Sequence, residues 1–266
     1  MSREQERFHQ HYGPWAVVAG ASEGLGAAWA THLAAYGLNL VLVARRQPLL
    51  DDLAARLAQQ HGIQTRTLAL DLAAPETPDA LIAATQDLDV GLLIYNAARS
   101  VIGPFLERPL EDHLAEIAVN VRAPMALSHA FGQRCVARGR GGIILLSSLS
   151  ATMGSAYIAD YAATKAYNLI LGEGLWEELR AKGVDVLACC PSAISTPNYA
   201  ASAPKNQQAV VTPDLVVAQT LRQLGRRPSF IPGTNNQMFA FILRRLLPRR
   251  TVTRLMGRVM RGMYAK

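Results

Sequence analysis

Six short apolar runs recur along the chain with amphipathic stretches between them, and this alternation constrains the fold more than any other feature. The runs are WAVVAG (15–20), LNLVLVA (38–44), TRTLALD (65–71), VGLLIYN (90–96), GIILLSS (142–148) and VDVLACC (184–190). Each is brief and largely apolar, as strands covered on both faces must be. Between them, stretches such as GAAWATHLAAYG and PLLDDLAARLAQQHG carry helical spacing, the second closing on Gly62. Strands alternating with helices predict right-handed crossovers and a parallel sheet covered on both faces. No repeat, linker or composition break interrupts the pattern before about Thr212. The expected class is therefore α/β, a doubly wound parallel sheet in a single domain spanning residues 1–266.

Composition excludes several alternatives. With 266 residues, half of them hydrophobic and 18% charged, the chain can bury a large core and is not a disordered polymer. Cys135, Cys189 and Cys190 are an odd count without metal-ligand spacing, which points to a reducing compartment, the cytoplasm, and not to a disulfide framework. The charged N-terminus lacks a signal-peptide core, and no apolar run approaches the ~18 residues needed to span a bilayer. The net charge of +7 is a property of the tail. Residues 241–266 hold seven arginines and one lysine with no acid, so the rest carries 27 − 8 = 19 basic against 20 acidic residues.

The first run leads straight into GASEGLG and then a helix. Gly20, Gly24 and Gly26 stand where a strand-to-helix turn brings the backbone close to a partner, and a phosphate fits main-chain N–H groups at a helix N-terminus. The plainer reading is a turn that needs positive φ. At the end of the second run an acid would bind a ribose hydroxyl, whereas Arg45 and Arg46 stand here with no acid before Asp51. That favours a 2′-phosphate, hence NADP(H) over NAD(H). Glu23, inside the turn, works against it.

A second motif is SSLSATMGSAYIADYAATK (147–165). Tyr161 and Lys165, four apart in a predicted helix, share a face. A neighbouring ammonium lowers the pKa of a phenol and lets it exchange a proton with a substrate oxygen. Tyr157 has no lysine four residues on. The serines close the fifth run, at the carboxyl edge of the sheet where ligands bind. Alone, a Tyr–Lys spacing of four is common in ordinary helices.

Taken together, residues 15–233 resemble the short-chain dehydrogenase/reductase family, whose fold is of Rossmann type. The resemblance assigns cofactor contacts to Gly20, Ser22, Gly24, Leu25 and Gly26 in the turn, to Arg45, and to the Asp71–Leu72 pair. The family's Asn-Asn-Ala-Gly appears as Tyr95-Asn96-Ala97-Ala98, keeping Asn96 and Ala97. Its Pro-Gly and following threonine appear as Pro191-Ser192, Ile194 and Thr196, so the threonine survives and the glycine does not. The catalytic set falls on Asn120, Ser148, Tyr161 and Lys165, with Ser148 chosen over Ser147 and Ser150 by its thirteen-residue separation from the tyrosine. YGPWAVVAGAS, LVLVARR and the late FIPG and LLPRR are most similar to the ketoacyl reductase and hydroxysteroid dehydrogenase branch, which mostly uses NADP(H), with NAD(H) as the second choice.

The resemblance implies hydride transfer between a nicotinamide and a carbonyl or secondary alcohol on an apolar substrate. Tyr161 would be the general acid, Ser148 would hold the carbonyl oxygen, Lys165 would tune the phenol and grip the ribose, and Asn120 would keep a water. It also implies a homo-oligomer through the helices after the fourth and fifth strands, around 110–136 and 157–181. No metal is required, and the six histidines are scattered. A nucleotide-sensing protein without turnover is the alternative from another class. Residues 192–212 are a candidate substrate lid. The tail, 235–266, repeats apolar residues at helical spacing around arginines and is split by Pro248. It either packs on the body, makes weak contact with an anionic membrane surface, or forms an apolar substrate entrance. Nucleic acid is not expected, for want of aromatic interleaving.

Overall fold

The structure is a computed structural model that describes residues 3–202, 204–205 and 210–265. Ala203 and residues 206–209 of the candidate lid, and Lys266 of the tail, lie outside the described residues.

Seven strands form one sheet: β1 (Trp15–Ala19), β2 (Asn39–Ala44), β3 (Thr65–Ala69), β4 (Val90–Tyr95), β5 (Gly141–Leu146), β6 (Val184–Cys189) and β7 (Ser229–Phe230). Their order is β3-β2-β1-β4-β5-β6-β7, and every pairing is parallel. The doubly wound reading is borne out. All six apolar runs are strands, and β7 is the one that sequence periodicity did not show; two residues are too few to carry a period.

Helices α1 (Arg3–Tyr12), α2 (Gly24–Ala35), α3 (Gln47–His61), α4 (Thr77–Ala83), α5 (Leu110–Ile117), α6 (Ala123–Arg138), α7 (Ala159–Arg180), α8 (Pro197–Ala201), α9 (Pro213–Leu221), α10 (Thr234–Phe241) and α11 (Arg249–Tyr264) complete the described fold. One face of the sheet is covered through Trp29, Leu33, Leu50, Leu57 and Val216 of α2, α3 and α9. The other is covered through Leu81, Leu127, Phe131, Trp176 and Leu179 of α4, α6 and α7. Gly62 ends α3 at φ +66°, the left-handed cap expected of it.

Apart from β2, which ends with its run at Ala44, the strands end one or two residues before the apolar runs do. Gly20, Asn96, Ser147, Ser148 and Cys190 lie just past the ladder, on the carboxyl edge of the sheet. The chain order reverses between β1 and β4, which opens a crevice there.

Candidate functional site

The glycine turn fills the mouth of that crevice. Gly20 (φ +87°) and Gly24 (φ +56°) occupy left-handed backbone that side chains disfavour. A Cβ added at Gly20 would lie 2.7 Å from the backbone of Ala97, and one at Gly26 would overlap the Gly20 carbonyl. Asn96 locks the arrangement by donating from Nδ2 to the Gly20 oxygen at 2.8 Å, while Ala97 N–H donates to Ala19 at 2.8 Å. The N-cap of α2, Glu23, makes no side-chain cap, so the first N–H groups of the helix face the crevice without a side-chain acceptor. Ser22 and Leu25 flank these groups. This cradle fits a dinucleotide phosphate.

The two arginines divide the work. Arg46 pairs with Glu23 at 2.8 Å and donates to Ser22 Oγ at 3.3 Å, so the acid that counted against a phosphate is neutralised within the turn. Arg45 is exposed and has no ion-pair partner among the described residues. Asp71 folds its carboxylate back onto Ala73 N–H at 3.0 Å, and Leu72 is buried beside it. Past β6, Pro191 accepts from Leu149 N–H at 2.8 Å, Ile194 bridges to Val211, and Thr196 caps α8 through Tyr199 N–H at 3.2 Å. Thr196 also reaches the glycine turn: a Cβ at Gly24 would lie 3.0 Å from its methyl.

The proton-transfer candidates converge at the end of β5. Ser147 is spent on structure, buried and donating to the Lys165 carbonyl at 2.7 Å. Ser148 is partly exposed, takes Ser150 N–H at 3.2 Å, and hydrogen-bonds the Tyr161 phenol. Lys165 is buried, donates Nζ to the Leu146 carbonyl at 2.7 Å, and stands 5.7 Å from the Tyr161 ring centroid. Here the electrostatics depart from expectation. Burial pushes the Tyr161 phenol up to about 12, and the Ser148 hydrogen bond only partly opposes it; Lys165 does not pull it down, because its ammonium is directed at the strand end. Burial also presses Lys165 down to about 8.

Asn120 sits in a π-helical turn, Ala118–Arg122, between α5 and α6. Its cause is legible: Pro124, four residues on, has no N–H to give the Asn120 carbonyl. That carbonyl accepts from Asn168 Nδ2 at 3.0 Å instead, and the side chain bridges Arg99 and Thr164.

Two features were missed in the sequence. One is Arg46 as the partner of the turn. The other is a buried group of His113, Glu116 and Asp160, whose polar atoms lie within 4.8 Å of one another; 44 residues separate Glu116 from Asp160, so no spacing announced it. The tail also finds its place. Val252 packs with Met153 and Leu243, Gly257 comes close enough to Ala156 that a Cβ there would lie 3.6 Å from that residue's Cβ, and Tyr264 meets Ser202 at 3.2 Å. The apolar stripe of α11 is thus turned inward over the span between Ser148 and Tyr161. Of the three readings of the tail, packing on the body is the one the structure supports, and membrane contact has no support. No helix among the described residues is long and apolar enough to cross a membrane.

A dinucleotide cradle beside a serine, tyrosine and lysine on a doubly wound sheet defines a nicotinamide-type oxidoreductase. Residues 14–207 match the family described as short chain dehydrogenase. A 7beta-hydroxysteroid dehydrogenase of Clostridium sardiniense is 32% identical over 233 residues, covering 86% of this chain and 89% of that protein. A structure solved for the stereoselectivity of 7beta-hydroxysteroid dehydrogenase aligns with a TM-score of 0.89 at 29% identity, over 94% of this chain and 98% of that one. A short-chain dehydrogenase from Sphingobium yanoikuyae in complex with NADPH aligns at 0.77 with 32% identity, over 83% and 87%. The chain belongs to the short-chain dehydrogenase family and is an oxidoreductase.

Proposed function

We propose that the protein is an NADP(H)-dependent reductase of an apolar, steroid-like carbonyl. The observation that carries this is the convergence of Ser148, Tyr161 and Lys165 beside the glycine cradle. A bound nicotinamide would supply the hydride. Ser148 would orient the carbonyl oxygen, and Tyr161 would give it a proton. A phenol held at about 12 keeps its proton through neutrality, which suits it as the acid of the reduction step. Asn120 would fix α7 against the π-turn. Gly20, Ser22, Gly24, Leu25, Gly26, Asn96 and Ala97 would hold the pyrophosphate side, with Asp71 and Leu72 at the adenine and Pro191, Ile194 and Thr196 at the nicotinamide.

NADP(H) is favoured because Arg45, at the end of β2, has no ion-pair partner among the described residues, and because a 32%-identical structure holds NADPH. The steroid-like substrate is favoured by the hydroxysteroid dehydrogenase relative and by α11, whose apolar side chains pack on Met153 in the segment between Ser148 and Tyr161. The test is cofactor oxidation against steroid ketones, ketoacyl thioesters and small aromatic carbonyls. Turnover of a steroid ketone is expected, with kcat/KM at least about tenfold higher for NADPH than for NADH, the worth of roughly 1.4 kcal/mol of charge contact. NADPH binding without turnover of any ketone would instead favour the sensing alternative.

The outer faces of α5, α6 and α7 expose Leu110, Leu114, Ile117, Met125 and Ile170, and a groove on α7 runs between Ala163, Ala166, Tyr167 and Gly174. Exposed apolar area of this kind supports pairing with a second copy. Sedimentation at micromolar concentration is expected to show a dimer or larger. A monomer would refute the pairing.

A further inference from the structure

Among the described residues one group of histidine and carboxylate side chains converges closely enough to share an ion. It is formed by His113, Glu116 and Asp160, which bring a ring nitrogen and two carboxylate oxygens within 4.8 Å of one another. His113 Nδ1 and Asp160 Oδ2, at 3.1 Å, already stand near the roughly 3.4 Å that separates two ligands of a tetrahedral zinc ion. The helices supply the spacing. His113 and Glu116 are three apart and share one face of α5, while Asp160 lies in the first turn of α7, which packs against it.

The donors are held from behind by backbone groups. His113 Nε2 lies 3.2 Å from the Phe105 carbonyl, which can only accept, so Nε2 carries a proton and Nδ1 is turned to the carboxylates. Glu116 Oε1 accepts Val101 N–H at 3.3 Å. The other oxygen, Oε2, is buried and has no hydrogen-bond partner, and Glu116 is the only aspartate or glutamate that is buried among the described residues. Such an oxygen calls for a water or an ion. Neither carboxylate is paired with a lysine or arginine among the described residues, and the Lys165 ammonium is turned to the Leu146 carbonyl. An imidazolium at His113 would satisfy Asp160 and Phe105, yet it leaves Oε2 without a partner. A divalent cation answers the Nδ1 lone pair and both carboxylates together.

We propose that His113, Glu116 and Asp160 form a binding site for one divalent transition ion of the zinc type, which clamps α5 to the start of α7. The donor set selects the class: an imidazole nitrogen disfavours magnesium and calcium, which take oxygen ligands. Three protein donors leave a fourth position for water. Solvent reaches the group at Asp160, whose side chain is 15% exposed, and beside Phe105, an exposed ring stacked on His113 with centroids 4.4 Å apart. Asp160 precedes Tyr161, and Glu116 stands one turn before Asn120. The ion therefore ties together the two helical segments that carry those residues, and it takes no part in hydride transfer. The inference goes beyond the proposed reductase function and does not rest on it.

The test is zinc binding to the full-length protein after treatment with a chelator. Calorimetric titration is expected to give one ion per chain. At a hundredfold excess of free zinc over Kd, Tm should rise by roughly 5–10 °C, whereas magnesium at the same concentration should leave it in place. X-ray absorption should show one imidazole and oxygen donors at about 2.0–2.1 Å, without sulfur. Glu116→Gln and Asp160→Asn should each weaken binding by at least about 10²-fold and lose the rise in Tm. Equal binding by both variants, a ligand shell with sulfur or with two imidazoles, or no binding at equimolar zinc would overturn the proposal. Should a variant fail to fold, the absorption spectrum of the wild-type protein decides alone. None of these readouts uses turnover, so a protein that reduces no ketone would refute the reductase reading and leave this one standing.

Discussion

Tyr161→Phe is expected to lower kcat for ketone reduction by about 10²–10⁴-fold while leaving the fold and NADPH binding in place. The substitution removes one oxygen from a half-buried ring on α7. Its hydrogen bond to Ser148 is lost, but Ser148 keeps Ser150 as a partner, so no polar atom is orphaned. Lys165 holds the Leu146 carbonyl and not the phenol, so its position does not depend on Tyr161. What disappears is the proton for the carbonyl oxygen. The phenol, pushed up to about 12 by burial, is protonated throughout the neutral range. Reduction in the wild-type protein therefore does not depend on deprotonating Tyr161, whereas alcohol oxidation needs the phenolate and should quicken as pH rises. Stopped-flow measurement of NADPH consumption, with cofactor affinity measured separately, decides the matter. More than about a tenth of wild-type kcat in the variant would remove Tyr161 from the acid role.

That site was legible in outline because its parts are local. The glycine turn is seven consecutive residues between a strand and a helix, and Tyr161 and Lys165 are one helical turn apart. Strands β1, β2, β4, β5 and β6 could be read for a similar reason: each is buried along most of its length, so each is written as a nearly continuous apolar run, whereas β3, at the sheet edge, is only half-buried and mixes threonine and arginine into its run. The break at Pro248 was legible too, and α11 begins at Arg249. The structure was needed where the answer depends on direction or on distant partners. Sequence gives Arg45 and Arg46 equal claim to a phosphate, yet the chain turns Arg46 back onto Glu23 and leaves Arg45 outward. The four-residue spacing implied that Lys165 lowers the Tyr161 pKa. The ammonium is instead bound to the Leu146 carbonyl, and burial governs the phenol. The π-turn at Asn120 had a readable signal in Pro124 that periodicity alone does not weigh. Glu116 and Asp160 meet only because α5 lies across α7, and no local pattern encodes that crossing.

Lys165→Met should abolish activity and make the protein more stable. The ammonium is buried, 2% exposed, and its desolvation brings its pKa from 10.5 down to about 8. The sign follows from proton binding. Below pH 8 the folded protein must carry a buried charge that the unfolded chain carries in water, so the full penalty applies there. Between pH 8 and 10.5 the unfolded lysine binds more proton than the folded one, and stability rises with pH as the penalty fades. A depression of this size corresponds to roughly 3 kcal/mol. Methionine fills much of the same volume without the charge, at the cost of the hydrogen bond to Leu146, about 1 kcal/mol. The net gain at neutral pH is roughly 2 kcal/mol, several degrees in Tm for a chain of this length. Activity should nonetheless fall by at least about 10²-fold, since under the proposed function Lys165 is the cation that grips the cofactor ribose. Calorimetry at several pH values checks the stability half: the variant should melt higher at neutral pH and lose the rise in stability above pH 8. A variant that melts lower than the wild-type protein at neutral pH would show that Lys165 is a structural anchor, and that the site does not hold its lysine against the preference of the fold.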